Sequence, residues 1–160
     1  NIKNYKGERV ADIFVKSIKS YKAINCPKKY NSSAIDEFLI VFLIAAKAKG
    51  VSYFKDLAEL NQKESPRLKL GSKILNMIGI KTKLKGDSIK IYGNPNLILN
   101  NRIYRIKTSY DHRLSMVGII LGLTFPGGKI IVEDCNSIAT SFPNFLNLVK
   151  QLGAKYEIKK

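Results

Sequence analysis

A recurrence about 75 residues long limits the folds open to this chain. Asp36 and Asp111 each open an apolar helical run and lie 75 residues apart, and the glycines that close later helix patterns, Gly79 and Gly153, lie 74 apart. A period of that length is too long for a solenoid repeat and fits duplication of a whole supersecondary unit. The first copy predicts a strand over 10–15, then a loop over 21–31. Asn31, Ser32 and Ser33 offer caps for a helix that is apolar nearly all round from Phe38 to Ala46 and runs on to Gly50. A strand over 51–54 and a polar loop over 56–62 follow. Ser65 and Pro66 open a second helix to about Ile78, and residues 81–84 and 88–92 alternate around Gly86-Asp87 as a hairpin. The second copy repeats the order: a strand over 103–108, a helix from Asp111 to about Leu123, a strand over 129–132, a helix from Ser141-Phe142-Pro143 to Gly153, and a strand over 155–158. The expected class is α/β (α+β), as two βαβαββ units of about 1–93 and 102–160, the second lacking its last strand. That strand must come from elsewhere in a longer chain, or an edge is left open. Asn1 in place of Met points the same way.

Composition narrows the function. The 160 residues suffice for one domain, and 45% hydrophobic with 25% charged residues is a globular balance. The longest apolar run, 38–46, is about half of what a membrane-spanning helix needs, and no amino-terminal stretch has the build of a leader. Cys26 and Cys135 are too few for a disulfide framework, and one histidine excludes a multi-histidine metal site. Two idle thiols and a cytoplasmic setting are expected. The net charge of +16 raises nucleic acid as a partner. Yet only Arg9, Arg67, Arg102, Arg105 and Arg113 are arginines, the lysines are scattered without a basic block, and no RNP strand, zinc finger or KH loop is present. Neither nucleic acid nor a membrane is an expected partner.

Chemistry-bearing residues gather at helix starts. Asp36-Glu37 precedes the first helix, Lys63-Glu64-Ser65-Pro66-Arg67 the second, and Asp111-His112-Arg113 the third. If the copies fold alike, these loops converge at one end of the domain. Helix starts present free N–H groups and positive potential to phosphate or carboxylate. Arg67 and Arg113 suit a two-arginine clamp, and Asp36 or Glu64 suits proton transfer. The same residues have plainer uses. Asp36-Glu37 is a favourable charge pair at a helix dipole, Glu64 and Arg67 are spaced i, i+3 for an ion pair, and Asp111 is a helix cap beside a satisfied histidine.

The stretches Ala34-Ile35-Asp36-Glu37, Lys63-Glu64-Ser65-Pro66-Arg67, Asp111-His112-Arg113-Leu114-Ser115-Met116 and Ile138-Ala139-Thr140-Ser141-Phe142-Pro143-Asn144-Phe145 stand in family order and spacing. In them the chain resembles the carboxy-terminal part of the 5-enolpyruvylshikimate-3-phosphate synthase family, over most of residues 8–158. The resemblance implies an inside-out α/β barrel domain built of three such units, of which this chain holds two, with substrates in a cleft facing an amino-terminal domain that is absent here. It implies transfer of the enolpyruvyl group from phosphoenolpyruvate to the 5-hydroxyl of shikimate 3-phosphate, without metal or organic cofactor, and no activity for this piece alone. Asp36 matches the acceptor of the hydroxyl proton, Lys63 the lysine near that hydroxyl, and Glu64 the carboxylate at the methylene of phosphoenolpyruvate. Arg67 and Arg113, with His112 beside them, match the phosphoenolpyruvate-binding residues.

Three departures bear on these roles. Thr140 stands where several members have a lysine, so that cationic role is not carried over. Pro66 replaces an acidic residue before Arg67. Glu59 stands where some members have an asparagine that touches the shikimate ring. A basic nucleic-acid-binding domain and a degenerate paralogue that keeps only the fold are the alternatives.

Overall fold

Nine consecutive apolar residues leave a helix no polar face, so it has to be covered on every side. In the computed structural model, which describes residues 2–159, that helix is α1 (Phe38–Ala46), and it packs on a sheet, on α2 and on α3 at once. The chain before it forms an exposed hairpin, β1 (Ile2–Tyr5) with β2 (Glu8–Ala11), then the two-residue strand β3 (Tyr21–Lys22). After α1 come β4 (Ala48–Phe54), α2 (Arg67–Met77), β5 (Thr82–Lys85) and β6 (Ser88–Gly93). The sheet order is β3-β4-β6-β5, with β3 parallel to β4 and the other pairs antiparallel.

Register decides what each face of this sheet meets. Ser52 opposite Ile91 and Phe54 opposite Ile89 point inward and are buried, while Val51 opposite Tyr92 and Tyr53 opposite Lys90 point outward. Phe38, Phe42 and Phe54 close the core with centroids 5.2–6.1 Å apart. Tilted and edge contacts of this kind add about 0.5–1.5 kcal/mol each beyond burial.

The second part repeats the βαβ turn. β7 (Ile103–Lys107) runs parallel to β8 (Lys129–Glu133), and α3 (His112–Thr124) crosses between them and packs on β8. Two short helices, α4 (Ile138–Ser141) and α5 (Phe145–Gln151), complete it. Gly79 and Gly153 both follow a helix at φ +94°, the left-handed closing position that glycine fills without strain. Among the described residues no helix is long and apolar enough to cross a membrane.

Several expected boundaries shift. The strand expected over 10–15 ends at Ala11, and 12–18 form no strand and lie exposed. The β-branched run Ile13-Phe14-Val15 finds no partner, and strand propensity without a pairing partner or a buried face yields no strand. The parallel strand of this unit is instead β3, inside the segment read as loop. The first helix stops at Ala46 rather than Gly50 because Ala48 already pairs with Tyr21. Residues 155–158, expected as a strand, pair with nothing in the described structure. The loop expected over 56–62 contains the short 3-10 turn Ala58–Asn61.

Candidate active site

Two helix starts meet at one buried carboxylate, and a third is joined to it through Arg67. Asp111 is the N-cap of α3, and its Oδ1 accepts from the backbone N–H of Arg113 at 2.9 Å and of Leu114 at 3.2 Å. Its Oδ2 accepts from Ser65 Oγ at 2.6 Å and from Arg67 Nε at 2.9 Å, and Arg67 Nη2 reaches Oδ1 at 3.2 Å. Asp111 is fully buried and Arg67 is 1% exposed. Ser109 and Tyr110, just before the cap, both adopt left-handed backbone (φ +52° and +61°). For residues other than glycine this costs on the order of 1–3 kcal/mol each, a strain found where a turn must aim a particular group. Here it turns Asp111 inward. Ser115 Oγ donates to Thr108 Oγ1 at 3.0 Å and to the Asp111 carbonyl at 2.9 Å, bracing the turn from below.

Arg67 spends two of its remaining donors on two further carboxylates. Nη1 reaches Asp36 Oδ1 at 3.1 Å and Nη2 reaches Glu64 Oε2 at 2.5 Å. Lys63 Nζ lies 3.5 Å from Asp36 Oδ1 and 3.0 Å from Glu59 Oε1. Arg113 Nη1 donates to the Asp36 carbonyl at 3.0 Å and to Glu37 Oε1 at 2.5 Å, which ties α3 to the turn carrying Asp36. The expected residues Asp36, Lys63, Glu64, Arg67 and Arg113 therefore form one connected network. His112 sits half-buried in the first turn of α3, beside Arg113. Thr140 is exposed, and its hydroxyl turns back to the Ser137 carbonyl.

The two arginines differ in kind. Arg67 is buried with four of its five N–H donors engaged by three carboxylates, so it organises Asp36, Glu64 and Asp111. Arg113 is partly exposed and engages neighbours through Nη1, leaving its Nε–Nη2 edge without a partner among the described residues. Burial pushes the Asp111 carboxyl up, but hydrogen bonds from Arg67 and Ser65 and the Arg67 charge outweigh it, and the group sits below the usual carboxylate range. The Glu59 hydrogen bond, aided by the charges of Asp36 and Glu59, holds the Lys63 ammonium above its ordinary value.

Five carboxylates (Asp36, Glu37, Glu59, Glu64, Asp111) face three cations (Lys63, Arg67, Arg113), so this wall is net −2 within a chain of +16. Beside it a cleft of about 400 Å³ opens between α1, α3 and α4–α5, with Asp36, Glu37 and Arg113 at its polar end and Met116, Phe142 and Phe145 along its apolar wall. Cys26 and Cys135 are free thiols, and burial pushes both above their ordinary value. Among the described residues no cluster of histidine, cysteine and carboxylate has the makings of a metal site.

The sequence places Asp111, Ser65 and Glu37 in the charged stretches but gives them only the parts of a cap, a helix opener and a dipole partner. Periodicity places all three only near a helix start. The one available signal was density, since Asp111 and Ser65 sit within the charged stretches themselves.

This fold is that of enolpyruvyl transferases. The enolpyruvyl transferase NikO of Streptomyces tendae superposes with a TM-score of 0.63 over 86% of this chain and 30% of its own, at 16% identity, which speaks to fold alone. Residues 6–149 match the family described as EPSP synthase (3-phosphoshikimate 1-carboxyvinyltransferase), and the chain belongs to that family. It is 38% identical over 160 residues to the 3-phosphoshikimate 1-carboxyvinyltransferase of Zymomonas mobilis, covering 99% of this chain and 35% of that protein. The corresponding figures for the Thermodesulfovibrio yellowstonii enzyme are 36% over 152 residues, 95% and 34%. The EPSP synthase structure from Acinetobacter baumannii superposes with a TM-score of 0.91 at 32% identity, over all of this chain and 36% of that one. The chain thus spans about a third of the length of the relatives it matches.

Proposed function

We propose that this network is one wall of the active site of a 3-phosphoshikimate 1-carboxyvinyltransferase. In this reading the 5-hydroxyl oxygen of shikimate 3-phosphate bonds to C2 of phosphoenolpyruvate while C3 gains a proton. The tetrahedral adduct then loses that methyl proton and inorganic phosphate to leave the enolpyruvyl ether. Asp36 takes the hydroxyl proton with Lys63 beside it, and Glu64 gives and later removes the proton at C3. Arg113, through its open edge, and Arg67, through its charge, hold the phosphoenolpyruvate anion, with His112 adjacent. No cofactor or metal enters the scheme.

One observation carries the reading. The single buried guanidinium of Arg67 holds Asp36 on Nη1 and Glu64 on Nη2, so both proton-handling carboxylates are fixed side by side, each about half-exposed, with Asp36 at the edge of the cleft. A plain surface ion pair would not bury the arginine and leave the acids open. The wall's charge of −2 adds a requirement: phosphate and carboxylate groups need cations from an opposing surface, which in this reading is the amino-terminal domain. The chain then supplies two repeat units, about 1–93 and 102–160, of the carboxy-terminal domain, in a cytoplasmic enzyme, and is inactive by itself.

The test is a chimera in which these 160 residues replace the matching third of the Zymomonas mobilis relative. It should release phosphate from phosphoenolpyruvate and shikimate 3-phosphate. Asp36→Asn in that chimera should lower turnover by about 10²-fold or more, with an unchanged urea midpoint because Asp36 is partly exposed. A folded chimera without activity, or near-normal turnover of D36N, would sink the assignment.

A further inference from the structure

We propose that the outer face of the β3-β4-β6-β5 sheet is a docking surface for single-stranded nucleic acid. The lysines are scattered in sequence, but the two-residue period of the strands collects them. Lys22 and Lys49 are neighbours across β3–β4, Lys83 and Lys90 across β5–β6, and Lys85 lies opposite Ser88 on the same face. The inward residues of the same strands, among them Ala48, Phe54, Ile89 and Ile91, are buried, so the lysines have no other side to occupy. None of the four strands contains an aspartate or a glutamate. The nearest acids lie outside the strands: Asp56, which pairs with Lys28, and Asp87 in the β5–β6 turn. Charge is therefore segregated. The candidate active site keeps five carboxylates, and this face keeps only cations.

Aromatic rings sit within the basic lattice. Tyr53 has Lys55 Nζ 4.8 Å and Lys90 Nζ 5.1 Å from its centroid, and Tyr92 has Lys81 Nζ at 5.2 Å. Both rings are partly exposed on a sheet whose other face is covered by helices. Cations around ring faces on an open sheet are what single strands use, with bases stacking on the rings and phosphates meeting the ammonium groups. An anionic membrane fits less well. Insertion needs protruding apolar side chains, and the apolar residue this face exposes is Val51, within a strand.

The experiment measures anisotropy of a labelled oligothymidylate against the whole chain at about 50 and 200 mM salt. Binding at the lower salt should fall steeply at the higher. The triple variant K83Q/K85Q/K90Q should weaken it about tenfold or more, each lost phosphate contact lowering the salt slope by about 0.7. K107Q/K129Q/K150Q removes equal charge elsewhere and should change it less than about threefold. Ultraviolet crosslinking of the unsubstituted chain provides a readout without substitution, with adducts expected at Tyr53 or Tyr92. Equal losses from both triples, no binding at the lower salt, or adducts confined to other surfaces would overturn the proposal. So would binding to phosphatidylserine vesicles through these lysines in the absence of oligonucleotide binding.

Discussion

Replacing Arg67 with methionine isolates the energetics of the buried network. Methionine preserves most of the stem's packing and removes the charge. Asp36 and Glu64 are each about half-exposed, so losing their partner costs at most about 1 kcal/mol apiece. Asp111 decides the outcome. It is fully buried, and without Arg67 it keeps only Ser65 and two backbone N–H groups. Removing one member of a buried pair costs about 3–5 kcal/mol, equivalent to roughly 10 °C in a domain this size. The pH dependence identifies the cause. In the parent chain Asp111 is depressed, so its contribution is present above the unfolded value of about 3.9 and is lost as pH falls through the lower folded value. In R67M burial is opposed only by the Ser65 and backbone hydrogen bonds and should raise Asp111, so the variant recovers relative stability as pH falls and Asp111 becomes neutral. Urea unfolding at pH 7 and at about pH 4.5 should therefore show a penalty that shrinks with acid. R67M/D111L should recover most of the loss, since apolar replacement of a whole buried pair is often neutral. A penalty below about 1 kcal/mol, or one independent of pH, would refute the view that Asp111 depends on Arg67.

Three further substitutions probe other links. Gly93→Ala would set a Cβ 2.1 Å from the Ala48 carbonyl, against backbone that cannot yield, and should cost about 1–3 kcal/mol or more in urea unfolding; Gly86→Ala, with open space but φ +55°, should cost about 1 kcal/mol, and an equal penalty at both sites would remove the steric argument. Glu37→Ala removes the carboxylate from Nη1 of Arg113, which keeps its bond to the Asp36 carbonyl, and should tighten orthophosphate binding by up to about fivefold in titration calorimetry; unchanged or weaker binding would mean that this carboxylate does not compete with anions for Arg113.

Much of the fold was legible because its signals are local. The apolar run 38–46, the alternation around Gly86-Asp87 and the closing glycines act over a few residues and survive in the structure. The errors fall where pairing is non-local. Ile13-Phe14-Val15 has strand composition and no partner, Tyr21-Lys22 has little and pairs, and the stretch after Ala46 leaves the helix because β3 and β6 claim it. The candidate site divides in the same way. Its members stood out as three dense charged stretches, but the sequence offered Arg67 and Arg113 as equivalent clamp residues and Asp111 as a cap.

From the sequence alone come the repeat, the α/β class, the charged helix starts and the resemblance that names the family. Each rests on order and spacing along one dimension. The tertiary structure decided which arginine is buried among carboxylates and which keeps an open edge, because that depends mostly on acceptors 31 to 77 residues away in the chain. It also decided that lysines scattered among strands share one face, since strand register, a pairing between distant segments, determines which side of a sheet each residue meets.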